Sequence, residues 1–504
     1  MWGTMSGPPT SARVGTRAWA GRALVAVAAV APLPLLLLAE RHIAGEAGFP
    51  LDDSWIHLHF ARNLAEGAGF SYNAGVPVAG STAPLWTLSI AGLFAMAGPS
   101  PLLVKALGVA LATGAALATA AAARAWGAAA PLAAAGGVAL AWTGAMAWGA
   151  LSGMEVPLAA LLVALAVLAH ARGPAWLVAL LAALAALARP EAVVLMPLLA
   201  LARPPRGRRL ALFVVVAGAV LAPAVAFSLA TVGAPIPATA AAKVEGGLLG
   251  WMAGVREPLT RLLLERPWQF LREWAGWLSA THWLLAVLGL PALVAVWTRH
   301  GPALGLPAAA LVVHPLGMAL LAPYRGPAFQ EGRYSAHLLP LAFVALAVAV
   351  PPAPRWARAA VVTVWLALAA ATLPAAATRY AWGVQNINAM QVRLGRWVDE
   401  HLPRHARLAV NDIGAIAFFS RREIIDLMGL VTPEVIPYRR EGEGGIIRYV
   451  SERCPDYVIV FPAWFPGLTA RRHLLEPLHR VRLDRNEVAG GPEMVVYRLR
   501  RCAV

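Results

Sequence analysis

Apolar runs of about bilayer length recur along this chain from position 22 to about 377, and they constrain its fold more than any other feature. A membrane-crossing helix needs ~20 apolar residues. Gly and Pro interrupt many of the runs, as helices in lipid tolerate. A surface helix of a soluble protein would carry a polar face; Leu158–Leu168 and Trp176–Leu187 carry none. Charged residues make up only 13% of the 504, against about 25% in a soluble domain. The expected fold class is a polytopic α-helical membrane protein with eleven spans, near 22–40, 102–123, 130–150, 156–171, 174–188, 190–202, 210–231, 281–298, 303–322, 334–351 and 359–377.

The net charge of +16 would suit a nucleic-acid binder, but its distribution does not. Much of the arginine lies in short loops between spans, which is how membrane proteins set orientation. Pro84–Gly98 is apolar yet only about 15 residues long. If it lies in the interface, Arg124, Arg172, Arg203, Arg206, Arg208, Arg209, Arg299, Arg355 and Arg358 all share the side of the basic N-terminus. If it spans, that set moves to the opposite side. The positive-inside rule selects the first arrangement. Arg13, Arg17 and Arg22 followed by an apolar stretch read as a retained first helix, not a cleaved signal. The expected location is the inner (plasma) membrane, with a cytoplasmic N-terminus.

In that arrangement loops 41–101, 151–155, 232–280 and 323–333 share the extracytoplasmic face, with the Arg189-Pro190-Glu191 junction and the C-terminal region. The expected division is a transmembrane domain over 1–379 and a soluble extracytoplasmic α/β domain over 380–504. The second begins with a helix, 386–401. Strand-like runs follow at 407–411, 423–427, 457–461, 481–484 and 494–499, separated by turn residues. Both cysteines, Cys454 and Cys502, lie in this part, without metal-ligand spacing.

The chemistry-bearing residues gather at the same face. Asp52-Asp53 leave the first span and open a helix with Ile56, Phe60 and Leu64 on one apolar face. Asp53 or Ser54 can cap that helix, so the acids could be structural alone. Two adjacent carboxylates at a span exit instead point to a functional centre. Glu155, Arg189, Glu191, Lys243, Arg333 and Tyr334 sit where apolar residues cost less, so they are expected to face a cavity or a partner, or to snorkel. His57 can line the same site. His57 and His59 point to different helix faces, which argues against a two-histidine metal centre.

The Asp-Asp exit, ARNLAEGAGF at 61–70 and GSTAPLW at 80–86 resemble the first extracytoplasmic loop of GT-C-type glycosyltransferases. The group of cell-wall arabinofuranosyltransferases and related bacterial membrane proteins is the most similar. SGME at 152–155, ARPEA at 188–192, GAPIPATAAAK at 233–243 and GRYSAHLLP at 332–340 follow in order. NDIGAIAFFS and IIDLMGLV resemble segments of the soluble domain of that group. Residues 232–243 depart from it, with Ala where relatives often carry Asn or Tyr.

The resemblance implies inverting transfer of a hexosyl or pentosyl unit from a polyprenyl-phosphate-linked donor to a glycan, lipid or protein acceptor outside the cytoplasm. It implies Asp52 or Asp53 as base, the other orienting the acceptor or a divalent cation (Mg, Mn or Ca). Glu155 is then a second carboxylate of the site, and Lys243, Arg333 and Tyr334 bind the donor phosphate. Arg189, Glu191 and His57 support the cavity. Two rivals remain at this stage: a transporter or flippase of a lipid-linked solute, and a non-catalytic envelope or motility assembly factor on the same scaffold.

Overall fold

The computed structural model describes residues 11–500 except 245 and 253, with Cys502 outside them. All eleven expected segments are helical, and the chain is a multi-pass membrane protein. Among the described residues, seven helices are long and apolar enough to cross a bilayer: Trp19–Ile43, Pro101–Ala125, Arg206–Val232, Trp283–His300, Pro302–Leu321, Phe329–Ala349 and Arg355–His401. The 130–150 segment is a pair, Ala130–Trp142 and Gly144–Leu151, bent by 59°. Thr143 makes the break and caps the second helix by accepting from Met146 N at 3.3 Å.

The other three are short. Val156–Arg172 has 17 residues and Ala175–Ala188 has 14, and Pro190–Leu201 is shorter still. At 1.5 Å per residue, a 14-residue helix rises about 21 Å, less than the ~30 Å hydrocarbon core. The hairpin they form therefore turns before it has crossed the full thickness. Arg189, at the turn, is 4% exposed and ion-paired inside the protein with Glu155 and Glu191.

Pro84–Ala97 is a 14-residue helix packed under the first loop, with Trp86 fully buried. Trp86 Nε1 donates to Gly153 O at 2.9 Å, tying it to the 151–155 turn. A buried ion pair fastens the entrance to that loop. Lys105 Nζ lies 2.5 Å from Glu40 Oε1 and donates to the Tyr380 hydroxyl at 3.0 Å, while Gly48 N donates to Glu40 Oε1 at 3.0 Å.

The last membrane helix continues without a break into the C-terminal part. Arg355–Ile387 passes through a π turn, Asn388–Val392, into Arg393–His401, so residue 380 falls inside one helix. Five strands follow: β1 (Arg407–Val410), β2 (Glu423–Asp426), β3 (Tyr457–Val460), β4 (Leu475–Arg482) and β5 (Glu493–Leu499). The sheet order is β2-β1-β3-β5-β4. β1 runs parallel to β2 and β3, and β5 antiparallel to β3 and β4. β4 begins six residues before the expected 481. Pro477 and a register shift between Pro477 and His479 hide its alternation, which an edge strand tolerates.

The two faces of the sheet have different partners. Val458, Val460 and Val495 pack on Tyr449 and Val450 of the domain helix Glu443–Arg453. Leu408, Val410 and Ile459 instead share a core with Ile56, Phe60, Tyr72 and Val78 of the first loop. The loop is thus one layer of the domain.

Candidate active site

The helix Asp52–Ala65 carries the acidic pair into the space between this layer and the membrane helices. Neither expected cap forms. Its N-cap is Leu51, without a side-chain bond, and Ser54 Oγ donates to Ser152 O at 2.7 Å. The domain fixes the helix in place. Arg62 Nη1 donates to Phe418 O at 2.6 Å, and the Tyr72 hydroxyl donates to Ile413 O at 2.9 Å. Asn73 both donates to Ile424 O and accepts from Ile424 N, at 2.8 Å each.

Successive residues on a helix point about 100° apart, and here that separates the two acids. Asp52 turns toward the domain. Its Oδ2 accepts from Gly414 N at 2.6 Å and its Oδ1 from Ala415 N at 2.8 Å, at the start of helix Gly414–Ser420. A Cβ on Gly414 would lie 2.1 Å from Asp52 O, so only glycine allows the approach. Burial raises the Asp52 carboxyl well above its usual range, Asp412 raises it further, and the two N–H donors oppose the rise.

Asp53 turns into a cavity of about 660 Å³. Its Oδ2 lies 2.6 Å from Arg333 Nη2. Burial alone would raise this carboxyl. Arg333 and Lys243 outweigh it, with the Arg333 hydrogen bond and His57 adding to them, and hold it well below the ordinary carboxylate range. Asp53 is therefore ionised at neutral pH.

All the sequence-chosen residues except Asp52 line this cavity. Glu155 is ion-paired with Arg189, which also holds Glu191 with Nε–Oε2 at 2.9 Å. The Arg189 guanidinium lies 4.3 Å from the centre of the Tyr334 ring, whose hydroxyl accepts from Arg333 Nη2 at 3.1 Å. Lys243 ends the short helix Ala238–Ala242, with its ammonium 5.5 Å from the Tyr324 ring centre. Its ordinary pKa is lowered by burial and raised more strongly by Tyr334 and Asp53, for a net rise. His57 bonds Thr87 Oγ1 through Nδ1 at 3.0 Å, and its Nε2 lies 3.7 Å from Glu155. Burial lowers its pKa, against the pull of Glu155 and Asp53.

Arg333 keeps free hydrogen-bonding capacity. It is 4% exposed, and its Nε and Nη1 find no hydrogen-bond partner among the described residues. Buried N–H groups are rarely left unpaired. The cavity is also lined by apolar side chains, among them Val193, Leu249, Val313 and Leu321, which are 39–51% exposed at the protein surface.

Sequence reasoning missed several contributors. Tyr324, Arg325 and His314 line the cavity, as do Thr239 and Leu430. Thr239 Oγ1 bonds Gly80 O and Leu430 O, so the domain supplies part of the wall. Tyr324-Arg325 in a loop already assigned to this face was the available signal. Thr239 and Leu430 lie inside the segments GAPIPATAAAK and IIDLMGLV, but nothing singled them out there, because their role is contact between distant segments. Asp412, inside the NDIGAIAFFS segment, accepts from Gln391 Nε2 at 2.6 Å; burial first, then nearby Asp53 and Asp426, push its carboxyl up to about 6.

The expected joint cation site at Asp52 and Asp53 does not fit. One carboxylate is occupied by backbone N–H groups and the other by a guanidinium, and they diverge. Among the described residues no group of three or more His, Cys, Asp or Glu could hold a metal ion.

A domain of unknown function (DUF8728) matches residues 385–497. No curated protein matches. Solved structures are similar across nearly the whole chain. ArnT from Cupriavidus metallidurans bound to undecaprenyl phosphate is 13% identical with a TM-score of 0.61, over 94% of this chain and 98% of that one. Its apo form is 14% identical with a TM-score of 0.58, over 95% and 98%. The Archaeoglobus fulgidus oligosaccharyltransferase in complex with Zn and sulfate is 12% identical with a TM-score of 0.54, over 95% of this chain and 73% of that one. The chain has the GT-C-type fold, a membrane helix bundle with a C-terminal α/β domain.

Proposed function

We propose that this protein is a membrane glycosyltransferase that moves a sugar from a polyprenyl-phosphate-linked donor to an acceptor outside the cytoplasm. One observation carries the reading. A cavity lined in part by surface-exposed apolar side chains also holds an ionised carboxylate and a buried guanidinium with two N–H groups unpartnered among the described residues. The fold shared with a protein crystallised with undecaprenyl phosphate supports it. So does the ordered motif set, which favours the arabinofuranosyltransferase-like group within the GT-C class.

Asp53 is the base in this mechanism, and Asp52 is not. The polyprenyl chain lies along the apolar side chains, which leaves the donor phosphate beside Arg333 and Lys243. Arginine's planar fork suits phosphate oxygens. The phosphate takes Nε and Nη1 of Arg333 and brings negative charge near Asp53. That charge raises the proton affinity of Asp53, which Arg333 otherwise suppresses. Asp53 then removes the acceptor hydroxyl proton as the oxygen attacks the anomeric carbon. The bond from that carbon to the phosphate oxygen breaks, its electron pair stays on the phosphate, and configuration inverts. The guanidinium and ammonium stabilise the charge that builds there. Glu155, Glu191 and Arg189 hold Tyr334 and the cavity wall. No step needs a cation.

The orientation follows from the arginine distribution: N-terminus in the cytoplasm, cavity and C-terminal domain outside, in the plasma (inner) membrane. The cavity's charges gather at one end, which suits group transfer at a surface better than passage across the membrane.

The test replaces Asp53 and Asp52 singly with Asn and assays sugar transfer from native lipid carriers in membranes. Asp53→Asn should lose at least ~100-fold in turnover, the scale of general-base catalysis, while remaining folded. Near-normal turnover in a folded Asp53→Asn protein would sink the assignment.

A further inference from the structure

Arg333 reaches the cavity from a backbone that L-residues rarely adopt. Gln330 (φ 51°) and Glu331 (φ 60°) lie in the left-handed region, and Gly332 (φ 73°) continues it. Glycine adopts this freely, and the two residues before it do not. A Cβ at Gly332 would also sit 2.1 Å from the Trp277 ring. Such a turn persists only where its surroundings impose it.

Two distant helices do so. Arg379, on Arg355–Ile387, grips the Glu331 carboxylate with two bonds: Nε to Oε1 at 2.6 Å and Nη2 to Oε2 at 2.9 Å. Trp277, on Arg266–Thr281, donates through Nε1 to Glu331 O at 3.3 Å. From the same helix, Glu273 Oε1 accepts from Ala328 N at 3.1 Å, at the head of the turn. Glu331, Arg379, Trp277 and Glu273 do not line the cavity. Two residues beyond the gripped glutamate stands the guanidinium that does.

We propose that Glu331 and Arg379 are positioning residues, whose ion pair holds the strained 330–332 turn so that Arg333 presents its free N–H edge to a phosphate. The two parallel bonds fix direction as well as distance. When the pair opens, the turn relaxes toward the right-handed backbone its side chains favour, and Arg333 leaves its place in the cavity. The inference rests on reading Arg333 as the phosphate ligand.

The test uses full-length protein in lipid nanodiscs, with undecaprenyl phosphate as probe, and melting followed in parallel. Arg333→Ala comes first. If it binds the probe as tightly as the unaltered protein, the reading of the site fails, whatever Glu331 does. If it weakens binding, Glu331→Gln and Arg379→Lys decide the present inference. Lysine keeps the charge but not the paired bonds. Each should weaken binding about tenfold (~1.4 kcal/mol) with an unchanged Tm. In turnover assays KM for the donor should rise more than kcat falls. The reversed pair, Glu331→Arg with Arg379→Glu, should recover most of the affinity. Unchanged affinity in both single variants overturns the proposal, as does a loss that only tracks a fall in Tm. Failure of a folded reversed pair to recover also counts against it.

Discussion

Asp52 and Asp53 are adjacent and chemically identical, yet Asp52 is buried and Asp53 only partly so, and their surroundings shift their proton affinities in opposite directions. Asp52 faces two backbone N–H groups and another acid, Asp412; Asp53 faces a guanidinium and an ammonium. Their substitutions should therefore fail differently. Asp53→Asn should abolish transfer with little change in melting. Asp52→Asn keeps one acceptor oxygen but offers an NH₂ group to a backbone N–H, and should cost about 1–3 kcal/mol of stability, the scale of an unsatisfied buried donor. Melting and turnover measured on both variants separate these outcomes. Asp412 gives a pH prediction. Burial pushes its folded carboxyl up to about 6, against about 3.9 in an unfolded chain. The folded state thus binds the extra proton between these values, and stability falls as pH rises through that window. The Tm of the unaltered protein should drop between about pH 4 and pH 6.5 by more than that of Asp412→Asn. Equal drops would remove Asp412 as the cause.

At the scale of elements, short helices do what long ones could not. A 20-residue helix before Arg189 would carry its guanidinium to the membrane surface and water. The 14-residue Ala175–Ala188 leaves it inside, against Glu155, Glu191 and Tyr334. The sequence shows the apolar run and the Arg-Pro-Glu break; where the helix ends in depth depends on neighbours that the run does not name. The Lys105–Glu40 pair fastens the first span to Pro101–Ala125 and, through Tyr380, to the last membrane helix. Lys105→Met would leave Glu40 buried without its partner. It should destabilise the protein by about 3–5 kcal/mol, read as a lower Tm in detergent. The double variant with Glu40→Leu should recover most of the loss, since an apolar pair of similar volume carries no such penalty.

At the scale of the molecule, the C-terminal domain is incomplete without the first loop. One face of its sheet packs on Ile56, Phe60, Tyr72 and Val78, and Tyr72, Arg62 and Asn73 bond its backbone. Residues 385–500 expressed alone should therefore lack fixed tertiary packing, with weak near-ultraviolet circular dichroism and strong binding of hydrophobic dyes. A sharp cooperative melt of that fragment would contradict the shared core. The arrangement also explains why the domain contributes Leu430 to the cavity wall and, through Arg439, bonds Ala242 O beside Lys243.

Hydropathy was sufficient to establish the membrane class, the eleven helical segments and the α/β character of the C-terminal part. Burying apolar length in lipid is a local requirement that each run meets by itself. Charge placement was sufficient to nominate Glu155, Arg189, Glu191, Lys243, Arg333, Tyr334 and His57 as a group, because a charge beside an apolar run needs a partner or a cavity wherever the chain puts it. The choice between Asp52 and Asp53 was different. It depends on where one helix starts and what stands on either side of it, and both were decided by segments more than 200 residues away, at Arg333 and Gly414. Adjacent side chains on a helix diverge, and only the packed structure says which of them meets the cavity.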